Sequence, residues 1–277
     1  MPRHGLPVVR FSTLDYRVSL EDQGSTAKVC LSDDGKTVLK FALAFNLDGC
    51  DDEVSHIARC KEADSSMLLE REKAVYKHLG EHEGILTCLD ISSAGLRFPF
   101  MKNGSLRRYL SNPTKPIQFS TKLLWVKGAT RSISFIHSMG VLQADISARN
   151  FLVADDLSLV LCDFSGSAIG DQDALVGQEM RYRKVDGVEP FRISVATEIF
   201  AIGSLIYEIM TGKRPYDEIE DEDEIEGLFG AQIFPSTVYI PLGRIINKCW
   251  LDGFKTVAEV LEDIQMEEKT LEAGDGQ

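Results

Sequence analysis

The run Gln143–Gly166, QADISARNFLVADDLSLVLCDFSG, sets three polar residues in a frame of apolar strand material. Asp145 and Asn150 stand five apart in a loop, ahead of the apolar Phe151-Leu152-Val153 and an acidic turn at Asp155-Asp156. A second apolar run, LSLVLC, then delivers Asp163 directly before Phe164. The pattern predicts a loop and a short β-hairpin that bring two carboxylates and one amide to the same end. Phosphoryl transfer needs that set: one carboxylate to receive a hydroxyl proton, and a carboxylate with an amide oxygen to hold Mg²⁺.

The run resembles the catalytic loop and metal-binding hairpin of eukaryotic protein kinases, which read His-Arg-Asp-(x)4-Asn and Asp-Phe-Gly. This chain writes Gln143-Ala144-Asp145 and Asp163-Phe164-Ser165 in their place. The D-(x)4-N spacing alone is weak, because any acidic loop can supply it. A second aspartate behind an apolar hairpin makes it specific.

Composition sets the outer limits. The 277 residues are enough to bury a sizeable core in one large or two small domains. A formal charge of −13 argues against nucleic acid or an anionic membrane as partner. The cysteines at 30, 50, 60, 88, 162 and 249 are scattered and form no C-x-x-C, which points to reduced thiols and a cytoplasmic setting. No run has the length of a membrane span, and the N-terminal residues lack the apolar core of a signal peptide.

From the N-terminus, Arg17–Leu20 and Thr26–Leu31 alternate as strands, and Ser32-Asp33-Asp34-Gly35 reads as a hairpin turn before a strand Thr37–Ala42. Lys40 lies in that strand among apolar neighbours, where a lone lysine ordinarily faces solvent. Residues 43–66 read as an irregular, extended connection, followed by a helix over about Ser66–Leu79 that carries Glu70 and Glu72. Strands are expected over Ile85–Ser92 and Gly95–Phe100, then a long helix over Thr121–Met139 capped by Ser120 and stopped by Gly140. A strongly apolar helix begins at Glu198 and ends in Gly212-Lys213-Arg214-Pro215-Tyr216, and residues 217–226 are acidic at eight of ten positions. The last turns, 267–277, read as a polar tail.

The kinase resemblance extends over roughly residues 12–266, most like the compact single-domain kinases common in filamentous fungi. It implies an α+β, two-lobed fold: a small β-rich N-lobe over about 12–101 and a larger, mainly helical C-lobe over about 102–266. It further implies an ATP-dependent protein kinase that uses Mg²⁺, with serine or threonine preferred over tyrosine as acceptor. Lys40 would hold the α and β phosphates and be oriented by Glu72, the better match of the two glutamates. Asn150 and Asp163 would ligate Mg²⁺, Asp145 would take the acceptor proton, and Arg149 would neutralise the γ-phosphate. Gly24, Val38, Met101 and Leu152 would contact the nucleotide, with Met101 in the hinge Phe98–Met101.

Several features depart from the pattern. Only Gly24 remains of the usual glycine loop, and the segment 167–196 lacks the usual Ala-Pro-Glu, with Val188-Glu189-Pro190 as the nearest text. These departures keep a pseudokinase scaffold as the alternative, and a small-molecule phosphotransferase as a third. The expected partner is a protein substrate of basic character, bound by a monomer, with neither nucleic acid nor membrane involved.

Overall fold

The computed structural model describes residues 16–18, 26–111, 116–185 and 192–274. The chain divides into two compact units, one of residues up to 81 with 87–100, the other of 82–86 with 101 onward.

The smaller unit is an antiparallel sheet with one long helix. Strands β1 (Tyr16–Val18), β2 (Lys28–Ser32), β3 (Thr37–Phe41), β4 (Asp90–Ser92) and β5 (Gly95–Pro99) follow the order β1-β2-β3-β5-β4. The β2–β3 turn forms where Asp34 and Gly35 predict it: Gly35 is left-handed at φ 69° and its N–H donates to Ser32 O at 2.9 Å. Helix α1 (Asp52–Leu79) is capped by the Asp51 side chain on Val54 N–H and stopped by Gly80 at φ 64°.

That helix corrects the sequence reading at 52–65, taken there as an extended connection. Its buried stripe is Ser55, Ala58, Ser65, Leu68, Leu69, Glu72, Val75, Tyr76 and Leu79, at helical spacing throughout. The first three members are small or polar, so a count of apolar residues sees only the C-terminal half. Ser65 Oγ accepts from Leu43 N at 2.8 Å and the Glu62 carboxylate from Phe45 N at 2.6 Å, which fastens the helix to the chain leaving β3. The expected strand over Ile85–Ser92 is likewise shortened to β4.

The larger unit is mainly helical. Its elements are α2 (Leu106–Ser111), α3 (Phe119–Ser138), the short strands β6 (Val141–Leu142), β7 (Phe151–Val153), β8 (Leu159–Leu161) and β9 (Ala168–Ile169), and helices α4 (Val195–Thr211), α5 (Glu222–Gly230), α6 (Gly243–Trp250) and α7 (Val257–Gly274). Gln118, not Ser120, occupies the cap position of α3, and it makes no side-chain cap bond. Helix α4 buries thirteen of its seventeen residues, so it is the centre of this unit. Gly203 lets α6 come close: an added Cβ would stand 2.7 Å from Cys249 Cβ. Helix α7 continues through 267–274, and Glu268 meets Lys127 of α3 at 2.8 Å. No helix among the described residues is long and apolar enough to cross a membrane.

Candidate active site

In the smaller unit, the register Lys40↔Leu96 and Lys40↔Val29 puts Lys40 on the central strand of the sheet. Its Nζ stands 2.7 Å from Glu72 Oε2, with side-chain exposures of 11% and 1%. Glu70 turns outward and pairs with Lys73 at 2.8 Å, so the two glutamates are told apart by burial. Val38 lies two residues before Lys40 and is half-buried. Gly24 lies outside the described residues.

In the larger unit, β7 and β8 form the hairpin read from the sequence, with Phe151↔Leu161, Leu152↔Val160 and Val153↔Leu159 opposed. The loop before it is held by its own polar groups. Gln143 donates from Nε2 to Asp163 O at 3.0 Å and accepts the Asp145 N–H on Oε1 at 2.5 Å. One amide therefore fixes the backbone at both aspartates. Ala144 is forced into a left-handed conformation, φ 72°, where its N–H reaches Glu198 Oε1 at 2.6 Å. The same glutamate, fully buried at the start of α4, has its other oxygen 2.5 Å from His137 Nε2.

Asn150 donates through Nδ2 to Asp145 O at 2.7 Å and to Asp145 Oδ2 at 3.0 Å. That commits the amide nitrogen and leaves the side-chain oxygen as the end that can face a cation. Asn150 O accepts the Cys162 N–H at 2.8 Å, which holds the residue beside Asp163 across the hairpin. Asp163, at φ 60°, accepts from Ser165 Oγ at 2.8 Å. An amide oxygen and a carboxylate are the hard oxygen donors that Mg²⁺ takes, so this pair fits the ion. Asp145 Oδ1 is buried with no hydrogen-bond partner, the position expected of an oxygen kept open for a substrate proton. Burial pushes the Asp145 carboxyl above its ordinary value, and Arg149 and Asn150 offset part of that.

Met101 opens this unit, its carbonyl accepting Gly104 N–H at 3.0 Å, and Leu152 bridges to Ser105. Arg149 is half-exposed, with NH2 3.5 Å from Asp145 Oδ2 and Nε 3.5 Å from Glu179 Oε2. It is shared between two carboxylates.

Residues 54–256 match the family described as protein tyrosine and serine/threonine kinase. The chain belongs to the protein kinase family. It is 24% identical over 175 residues to a probable LIM domain-containing serine/threonine-protein kinase of Dictyostelium discoideum, a match covering 59% of this chain and 27% of that protein. It is 22% identical over 203 residues to a putative mitogen-activated protein kinase kinase kinase 7-like protein of Drosophila melanogaster, covering 69% and 51%. With ephrin type-A receptor 5 of Gallus gallus it shares 24% identity over 161 residues, covering 54% and 16%. The chain therefore spans about half or less of the length of these relatives.

Sequence reasoning passed over a second charged group of this chain, made by Arg107, Glu179, Tyr182, Glu208 and Arg214. One signal was available: Glu208 sits in the otherwise apolar run of α4, and a buried carboxylate demands a cation. Tyr182 and Ser194, candidates for phosphorylation by residue type, are committed in the fold. Tyr182 is fully buried and donates to Glu208, and the Ser194 side chain caps α4.

Proposed function

We propose that this kinase is catalytically active and transfers the γ-phosphate of ATP to a serine or threonine hydroxyl of a protein. The observation that carries the reading is the buried Lys40–Glu72 pair at 2.7 Å. Burying two charges costs about several kcal/mol per ion, and an apolar pair of similar volume is often as stable. A cation kept there at that cost suits a role in gripping an anion such as the nucleotide phosphates. Lys40 then holds the α and β phosphates and Glu72 orients it. Asn150 and Asp163 would hold Mg²⁺, whose charge would offset that of the phosphates, and the open oxygen of Asp145 takes the acceptor proton. Val38, Met101 and Leu152 are assigned to the nucleotide, Met101 through its backbone. The serine/threonine assignment draws support from the name of the Dictyostelium relative.

The test is transfer from Mg·ATP to a mixed protein pool, with phosphoamino-acid analysis, wild type beside Asp145→Asn. The substitution keeps the shape and removes the base, so transfer should fall by about two orders of magnitude or more while nucleotide affinity stays nearly constant. Equal turnover in both proteins removes Asp145 from its role. A wild type that binds no nucleotide and transfers nothing returns the chain to the pseudokinase alternative.

A further inference from the structure

Glu179 lies in the segment that follows Asp163, and its carboxylate meets guanidinium groups from three separate parts of the larger unit. Arg107 of α2 reaches Oε2 at 2.8 Å and Oε1 at 3.2 Å. Arg214, just beyond α4, reaches Oε1 at 3.2 Å, and Arg149 of the catalytic loop stands 3.5 Å from Oε2. Arg107 continues to both oxygens of Glu208, at 3.0 and 3.2 Å, and Arg214 to Asp217 at 2.6 Å. The Glu179 side chain is only 14% exposed and that of Glu208 3%. Removing Glu179 would leave three guanidinium groups around the space it fills.

The hydroxyls that could instead bring a phosphate here are already engaged. Ser165 donates to Asp163, and Ser167, fully buried, donates to Gln143 O. Tyr182 is buried against Glu208, and Ser194 caps α4. Among the described residues of this segment, no hydroxyl stands free to carry the charge that Glu179 carries permanently.

We propose that Glu179 is a built-in positioning anion. Its carboxylate fills an arginine site made by Arg107, Arg149 and Arg214, and holds both the segment after Asp163 and the Arg149 side chain beside Asp145 with no phosphate required. Its consequence for transfer rests on the catalytic reading above, whereas the anion site itself does not. Arg149 is the half-exposed member and Arg214 is 32% exposed, so a small anion has a route to the space once the carboxylate is removed.

The experiment uses the full chain as wild type, Glu179→Ala, Glu179→Gln and Glu179→Asp, with formate as the probe and sodium chloride at equal ionic strength as control. Three quantities are read: the melting temperature, protease cleavage within 167–185, and the kinetics of transfer. The alanine variant should melt several degrees lower and be cut faster. Its kcat should fall about tenfold or more with little change in KM for Mg·ATP, because displaced positioning residues act on the transfer step. Formate should restore part of all three in Glu179→Ala. It should not do so in Glu179→Gln, whose amide fills the space, or in wild type. An alanine variant as stable and active as wild type overturns the proposal, as does restoration that chloride reproduces or that Glu179→Gln shares. If the wild type itself transfers nothing, while formate still restores melting and cleavage resistance to Glu179→Ala, the catalytic reading falls and the anion site stands. Should Glu179→Ala be insoluble, Glu179→Asp must keep the segment protected and Glu179→Gln must not; equal protection overturns the proposal.

Discussion

Glu179 and Glu208 share one arginine, Arg107, yet their protons are pushed in opposite directions. Burial raises the Glu208 carboxyl, and its bonds to Arg107 offset this only in part. Burial acts on Glu179 too, but Arg107, Arg149 and Arg214 together overcome it and hold that carboxyl below its ordinary value. The linkage signs follow. Glu179 contributes stability that is present above the unfolded value, about 4.3, and is lost as pH falls through its lower folded value. Glu208 is penalised when ionised, and that penalty is relieved as pH falls through its raised value toward about 4.3. On acidification, the stability gap between wild type and Glu208→Gln should therefore move in favour of wild type. The gap to Glu179→Gln should shrink, and at lower pH. Urea midpoints across a pH series check this, and two gaps that move in the same direction would show the proton to be placed on the wrong carboxylate. Little of this cluster is written in local spacing, because bonded members such as Arg107 and Glu208 are 101 residues apart. Asp145, Asn150 and Asp163 were legible for the opposite reason, since one short loop and one hairpin bring them together.

Among the elements, the sheet of the smaller unit depends on one close approach. Gly95 opens β5 at φ 144°, and a Cβ added there would stand 2.1 Å from Lys40 O. Gly35 in the β2–β3 turn is also at positive φ, 69°, but with nothing within 4 Å. Alanine at either site forces an L-residue into a strained backbone, at about 1–3 kcal/mol. Only Gly95→Ala must also push β3 away at the lysine. Its urea midpoint should fall further than that of Gly35→Ala, and it alone should weaken nucleotide binding. Equal losses on both measures would mean that backbone conformation, not proximity to Lys40, requires the glycine. Elements marked by turn residues or long apolar runs were readable: the β2–β3 turn, the β7–β8 hairpin and α4. The first half of α1 was not. Its buried face is built from serine and alanine, whose burial is decided by what the helix meets and not by their own hydrophobicity. The cap on Asp51 was present in the sequence, but an acidic residue in an acidic stretch carries little information.

For the whole molecule, the sign of its charge bears on what it meets. The net charge of −13 is concentrated in part on residues 217–226, eight of them acidic. Asp221 caps α5 and Arg183 pairs with Glu226 at 2.9 Å. Asp217 is taken by Arg214 at 2.6 Å. Glu218, Glu220, Glu222, Asp223 and Glu224 are exposed. Clustered exposed carboxylates raise the local concentration of cations and hasten encounter with basic partners, and the effect fades as salt shortens the Debye length. Four amide substitutions, at Glu218, Glu220, Glu222 and Asp223, leave the cap and the ion pairs in place. At low salt these should slow association with a basic peptide substrate by about tenfold or more, the lower bound for steered association. At about 1 M salt, where the Debye length is about 3 Å, the variant and the wild type should converge. kcat should be the same for both, because the change acts before the complex forms. An association rate that is unchanged at low salt, measured by stopped flow, would make these carboxylates a solvated face with no part in choosing the substrate.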